Sequence, residues 1–451
     1  MKESLYMDNN LMLKSIKNEG RSFLDSVSRS NEPFYLVLIS VYVAIFFFLR
    51  IEWAARLDNI MYTVRYALLG IVMWGSAVYL FFVIVDWGDL WNKNFWLLFI
   101  GVFLLGMTYF FSKRMSTNIY SLVMDAFFCV MACGKDYRKI LRCIMGVTAA
   151  LLIIAGIGVA AGYTLDCVKP NNVHPGHSLG IIYPNTWGYM AFLVMMIIWY
   201  LWLRSRPFFS ILIFWGMGLF MYIYICCHTV AVLMMVFPIF GILVDQLEKR
   251  HDRNAEEALP GTSTEKKTWN GLNIWGWLVT AIPFIAFIFV LAAFKQYEWL
   301  HARFFYTGLH NLALRFVQGA LYIKTYGFHL FGNSFKSGTL TYLKVNEEYI
   351  QVGILDSSFA SYLIMRGLVW VLLVLTWLCI ANWKAVRKRD YAIPFLSTII
   401  LGFAMMERPG LEMWYNFILL YPLAKVVSKP GTGGVPEPAA VSPETSGEIQ
   451  E

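Results

Sequence analysis

The chain is a succession of long apolar runs separated by short polar punctuation. A bilayer core of about 30 Å takes about 20 apolar residues of helix to cross. Helix is the default there because each span must satisfy its own backbone polar groups. About twelve segments fit that template: 34–50, 66–85, 95–111, 118–133, 140–162, 185–203, 207–225, 229–244, 272–294, 358–381, 391–406 and 411–427. Between 207 and 244 the apolar run is broken at Cys226-Cys227-His228-Thr229, which predicts a tight hairpin, with one long bent helix as the alternative. The start of the chain is polar and lacks an apolar h-region, so no cleavable signal peptide is expected. The tail 428–451 is rich in Pro and Gly and is expected to be disordered.

Composition agrees with a lipid-embedded chain. Of 451 residues, 58% are hydrophobic and 15% charged, where an average soluble domain is nearer a quarter charged. Aromatic residues make up 17%, with many Trp and Tyr near predicted span ends, as interfacial belts require. The net charge of +8 comes from dispersed Lys and Arg rather than a clustered patch, which argues against a nucleic-acid partner. With the N-terminus inside, most of the 37 basic residues fall on cytoplasmic segments, notably Lys135 to Arg142, Lys249 to Lys267 and Lys384 to Arg389. An even span count puts the C-terminus inside as well.

The expected fold is therefore an all-α polytopic membrane protein of about 12 transmembrane helices. Its expected parts are a cytoplasmic segment 1–33, helices 1–9 over 34–294 with an external loop 163–184, a long external loop 295–357, helices 10–12 over 358–427, and the cytoplasmic tail. A connection of that length among short ones is commonly functional. There is no convincing internal repeat, which weakens an inverted-repeat transporter reading.

Both external loops carry candidate chemistry. In the long one, Asn311, Arg315, Gln318 and Tyr322 recur at helical spacing beside an apolar stripe of Leu314, Val317 and Leu321. That predicts an amphipathic helix in the outer interface or packed on the bundle. Arg315 either snorkels to lipid headgroups or forks onto a substrate diphosphate. In the shorter loop, His174 and His177 are donors or proton exchangers near neutral pH, or ordinary loop residues; Asn185 has the chemistry of an N-cap. Asp356 precedes a span and serves either as a helix cap or as a general base. Glu407 and Arg408 set an acid beside a base at the last external turn, as an ion pair or as part of a site. Asp125 interrupts an apolar run, where carboxylates are costly and often functional. No Walker A, DxD, HExxH or GxSxG pattern occurs, and the seven Cys show neither metal-ligand spacing nor a disulfide framework. No metal and no cofactor are expected.

Taken together, several of these segments resemble one family. His177-Ser178-Leu179-Gly180 followed by Pro184-Asn185 is similar to the SLGF-x-x-PN signature of Gram-positive capsular and exopolysaccharide repeat-unit polymerases. Residues 309–335 resemble that family's external stretch, in which an Arg precedes a helix and an LFG turn. Asp356-Ser357-Ser358-Phe359 resembles its DNSY, and Glu407 with Asn416 resembles a looser acid-and-Asn pattern in the final hairpin. The resemblance covers roughly residues 160–420. It departs from the family where His174 and His177 stand in place of an Arg before SLGF, and where Cys227-His228 stands in place of a Ser-Arg pair.

The resemblance implies a GT-C-like, inverting, metal-independent glycosyltransferase of the bacterial plasma membrane. Its substrate would be a polyprenyl-diphosphate-linked oligosaccharide, and its companions a flippase and a chain-length regulator of the same pathway. Arg315, with Arg408 or His177, would hold the diphosphate; Asn185 and His228 fall at further substrate-binding positions. Asp356 or Glu407 would orient or deprotonate the acceptor. Phe304, Phe305, Tyr306 and Tyr326 would line a sugar or lipid path, or anchor the interface. Two rivals remain: a glycan ligase of the same superfamily, and a flippase or secondary transporter for a lipid-linked oligosaccharide.

Overall fold

A computed structural model describes residues 32–48, 51, 125–166, 168, 176–256, 274–304, 310–332, 341–345, 348–352 and 357–426. The expected spans 66–85 and 95–111, the start of 118–133, the N-terminal segment to residue 31, His174, Asp356 and the tail from residue 427 lie outside the described residues.

The described chain is helical, with one small β-hairpin. In order come α1 (Glu32–Phe48), α2 (Tyr137–Ala160), α3 (Pro184–Ile198), α4 (Pro207–Phe220), α5 (His228–Glu256), α6 (Ile274–Lys295), α7 (Tyr297–Phe304) and α8 (His310–Tyr326). After them come β1 (Thr341–Val345), β2 (Glu348–Val352), α9 (Ser358–Ser361), α10 (Leu368–Arg387) and α11 (Ala392–Met406). Among the described residues, six helices are long and apolar enough to cross a membrane: Tyr137–Ala160, Pro184–Leu203, Pro207–Ile225, His228–Arg250, Gly276–Lys295 and Leu368–Arg387. Glu32–Phe48 and Ala392–Met406 are shorter apolar helices. Their outward faces remain apolar, with Ile153, Ile157, Leu212, Val236, Phe240, Ile288 and Leu373 exposed. Helices apolar on every side belong in lipid. A bilayer is the solvent this surface fits.

Local sequence explains the breaks. Pro184 and Pro207 open α3 and α4, where a missing N–H costs nothing. α4 runs through a π-turn, Met221–Ile225, into Cys226, whose left-handed φ of 57° ends the helix. The chain then reverses into α5, and Trp215 Nε1 donates to Met235 O at 2.9 Å across the pair. The tight hairpin is thus the form adopted. α5 continues past the expected end at 244 to Glu256, helped by the i,i+4 pair Asp245–Lys249.

Contacts sort residues to two ends of the bundle. At one end Lys139 pairs with Glu32, Asp136 bridges to Lys425, and Arg204 pairs with both Glu248 and Asp390. Tyr200 OH donates to Asp390 Oδ2 at 2.8 Å, and Tyr137 meets Tyr200 and Tyr421 edge-on. At the other end Ile51 bridges to Ile181, and the His177 N–H donates to Tyr224 O at 3.0 Å.

Three expectations change. The span expected at 411–427 is not an α-helix: short 3₁₀ turns at Arg408–Leu411 and Phe417–Leu420 lie in an irregular segment that runs through the core with Leu411, Met413, Tyr415, Phe417, Ile418, Leu420 and Tyr421 fully buried. Irregular backbone is tolerated at membrane depth when protein side chains satisfy it, and here they do. Tyr362 OH donates to Leu411 O (3.0 Å), Trp377 Nε1 to Leu419 O (2.7 Å), and Lys384 Nζ to the carbonyls of Tyr421, Pro422 and Ala424 (3.2, 2.8 and 2.9 Å).

The second change concerns α8. It packs on the bundle, yet Gln318 and Tyr322, expected on its polar face, are 8% and 2% exposed. Gly319 faces Phe294 of α6 and Ala360 of α9, so that side of α8 is covered as well. The third is the antiparallel hairpin, in which Thr341 pairs with Val352 and Val345 with Glu348, inside the loop whose expected element was an amphipathic helix.

Candidate functional site

Three groups of polar side chains stand out among the described residues. The first is built by the turn Ser178-Leu179-Gly180, where Leu179 and Gly180 have φ of 46° and 82°. A side chain at Gly180 would meet the Ala155 carbonyl at 2.7 Å, so glycine is required there. Asp166 holds the turn: its Oδ1 accepts the Ser178 and Leu179 N–H groups at 2.8 and 2.9 Å. Its other oxygen, Oδ2, lies 2.5 Å from His177 Nδ1. The His177 ring stacks on Tyr224, with centroids 4.2 Å apart and planes 11° from parallel. Burial pushes the Asp166 carboxyl up, but the hydrogen bonds from His177, Leu179 and Ser178 and the His177 charge outweigh it and hold it below the usual carboxylate range.

The second group is buried between α1, α9 and the irregular segment. A π-turn, Tyr362–Arg366, carries Arg366, which is 4% exposed. Arg366 Nη2 pairs with Glu412 Oε1 at 3.1 Å, and its guanidinium carbon lies 3.9 Å from the Tyr362 ring centroid. Trp414 Nε1 donates to Glu412 Oε2 at 2.6 Å. Tyr42 OH donates to Asp125 Oδ1 at 2.6 Å, and Asp125 lies within electrostatic reach of Arg366. Directly after Arg366, Gly367 adopts φ of 92° against the backbone of Leu330 and Gly332, which anchors the loop following α8.

The third group links α8, α9 and the end of α11. Arg315 is half-buried on α8, its Nη1 3.3 Å from Gln318 Oε1. Ser358 Oγ donates to the Glu407 carbonyl at 2.5 Å, joining the start of α9 to the end of α11. Glu407 also lies within electrostatic reach of Cys227, which packs on Gly188 of α3.

The expected site residues therefore divide. His177 lies at the loop end, Glu407 is joined to Ser358 of α9, and Arg315 lies one turn before Gly319, which faces Ala360 of α9. Asn185 is exposed at the second position of α3, with Tyr183 at the N-cap, so it is not the cap. His228 is exposed at the first turn of α5, 4.9 Å ring to ring from Tyr222. Arg408 opens a 3₁₀ turn. Asp356 falls outside the described residues, and Ser357 occupies the N-cap position of α9. Sequence reasoning missed Asp166, Arg366 and Glu412. The available signal for Arg366 was a cation inside an expected span; for Asp166 it was a single carboxylate beside the His177 turn.

Beside α8, an apolar cavity of about 570 Å³ lies between α6, α7 and α8, lined by Phe289, Trp299, Phe304 and Phe316 with Gln296 as a polar member. Among the described residues, no three His, Cys, Asp or Glu side chains gather as a metal site would require. Chemically, these elements offer the Arg315 guanidinium for an anion, a carboxylate-bound imidazole for a proton, and an apolar cavity for a hydrocarbon. Compared with known proteins, the chain matches no family model, no curated protein and no solved structure.

Proposed function

We propose that this protein polymerises polyprenyl-diphosphate-linked oligosaccharide repeats by inverting, metal-independent glycosyl transfer at the outer face of a bacterial plasma membrane. In this reading the chain crosses the membrane about twelve times, counting the irregular segment 411–427 as a crossing. Both termini are cytoplasmic, and the loop end of the bundle is the external one. The observation that supports it most is that Ser358, at the start of α9, donates to the Glu407 carbonyl at the end of α11, which joins two segments distant in sequence that both resemble the polymerase family.

The chemistry suits these groups. A diphosphate leaves readily once cations stabilise its growing charge, and Arg315, with Arg408 or His177, supplies them. Asp356 or Glu407 orients the acceptor hydroxyl. The cavity between α6, α7 and α8 has the volume and apolar lining to receive part of a polyprenyl chain.

Arg315→Ala and Arg315→Lys test the site together. A bidentate contact requires both to lose about 10²–10³ in rate while the protein inserts at normal levels; wild-type polymer from Arg315→Ala would sink the assignment. Deleting the gene tests the reaction. Loss of long chains with single repeats accumulating on the carrier marks a polymerase. Long chains persisting on the carrier mark a ligase, and repeats trapped on the inner leaflet mark a flippase.

A further inference from the structure

We propose that His177 is the group that accepts the acceptor-sugar proton and that Asp166 is its positioning residue. This inference rests on the glycosyl-transfer reading, assigns the proton to neither Asp356 nor Glu407, and takes His177 out of the diphosphate-holding set, leaving that role to Arg315 with Arg408. Asp166 Oδ2 sits 2.5 Å from His177 Nδ1, so the shared proton belongs on Nδ1 and the Nε2 lone pair is left to accept another. Among the described residues Nε2 makes no hydrogen bond, and the side chain is 28% exposed, open to a substrate. The ring cannot swing away. Tyr224 stacks on its face and also accepts the His177 backbone N–H at 3.0 Å.

Asp166 is itself unavailable as a base, because its other oxygen takes the Ser178 and Leu179 N–H groups. Those bonds hold Leu179 at a φ of 46°, a conformation that non-glycine residues rarely adopt. Strain of this kind persists only where surroundings over-determine it, and it collects at working sites. Glu407 reaches the same neighbourhood through Cys227, next in sequence to the Cys226 that ends the Tyr224 turn.

The step balances. The acceptor hydroxyl oxygen forms a bond to the donor's anomeric carbon as the bond from that carbon to the diphosphate oxygen breaks. The electron pair leaves with the polyprenyl diphosphate, the hydroxyl proton passes to His177 Nε2, and the imidazolium then releases it to water at the exposed edge.

The experiment uses full-length purified protein in proteoliposomes, with the lipid-linked repeat that accumulates in a strain lacking the gene as substrate. His177→Ala and His177→Gln should each lose about 10²–10⁴ in kcat, the range of general-base catalysis. Added imidazole should restore part of the His177→Ala activity and none of that lost in Arg315→Ala. Asp166→Asn should lower kcat with KM unchanged, because it presents the wrong partner to Nδ1. Each variant is checked for a monodisperse gel-filtration peak. Wild-type kcat in His177→Gln overturns the assignment. So does a monodisperse His177→Ala that imidazole fails to rescue, which makes the pair a loop staple. Wild-type protein that elongates nothing overturns the polymerase reading and the inference with it.

Discussion

The buried pair Arg366–Glu412 allows a quantitative test of how the core is held. At 3.1 Å, with an effective dielectric of about 20, two unit charges attract by about 5 kcal/mol. Taking both ions out of water costs several kcal/mol each, so the net value of the pair is small. Removing one partner is different, because it strands the other in a site with Arg366 4% exposed. Arg366→Met and Glu412→Leu should each cost about 3–5 kcal/mol. The double variant Arg366→Met/Glu412→Leu should cost no more than about 2 kcal/mol, reflecting the acceptor lost by Trp414 and the cation lost by Tyr362. The assay is unfolding of the purified protein by SDS titration in mixed micelles, analysed as a double-mutant cycle. Single losses that simply add in the double variant would refute the account.

Three further outcomes follow from the geometry. Lys384→Met removes an ammonium whose three protons are matched by three carbonyls of the irregular segment, and should cost about 2–4 kcal/mol in the same titration; an unchanged midpoint refutes it. Gly367→Ala would set a Cβ 2.3 Å from Gly332 N at a φ of 92°, so it should cost at least about 3 kcal/mol, read as lost monodispersity or a lowered melting temperature; a normal melt refutes it. The depressed Asp166 carboxyl contributes stability that is present above the ordinary carboxylate value of about 4 and fades as pH falls through its folded value, so the melting difference between wild type and Asp166→Asn should shrink as pH falls below about pH 4, and a difference undiminished there refutes it.

Much of the scaffold was legible because hydrophobic run length reports burial in lipid directly. The hairpin at Cys226 followed from local pattern, and α8 packs on the bundle, one of the two placements its pattern allowed. The 411–427 segment shows where that reasoning stops. An apolar run says that side chains are buried, but whether the backbone is α-helical depends on who satisfies its carbonyls. Here the donors are Tyr362, Trp377 and Lys384, which lie 35 or more positions upstream. Gln318 and Tyr322 misled for a similar reason, since polar residues mark an exposed face only when nothing packs on it. At the site, His177, Arg315 and Glu407 were visible as unusual residues in the segments between apolar runs. Asp166 was not, because its role depends on a turn whose left-handed residues no spacing rule announces.

The irregular segment has a consequence for the order in which the protein assembles. A helix can enter lipid alone, since it carries its hydrogen bonds with it. Residues 411–426 cannot, because the groups that accept or donate to their backbone sit on α2, α10, the turn after α9 and the strand of chain around Gly134 and Lys135. Those elements must stand in place first. Residues 411–426 are then drawn into a finished cleft rather than released sideways into the bilayer, and a ribosome-stalled or truncated chain ending before them would leave that cleft unfilled.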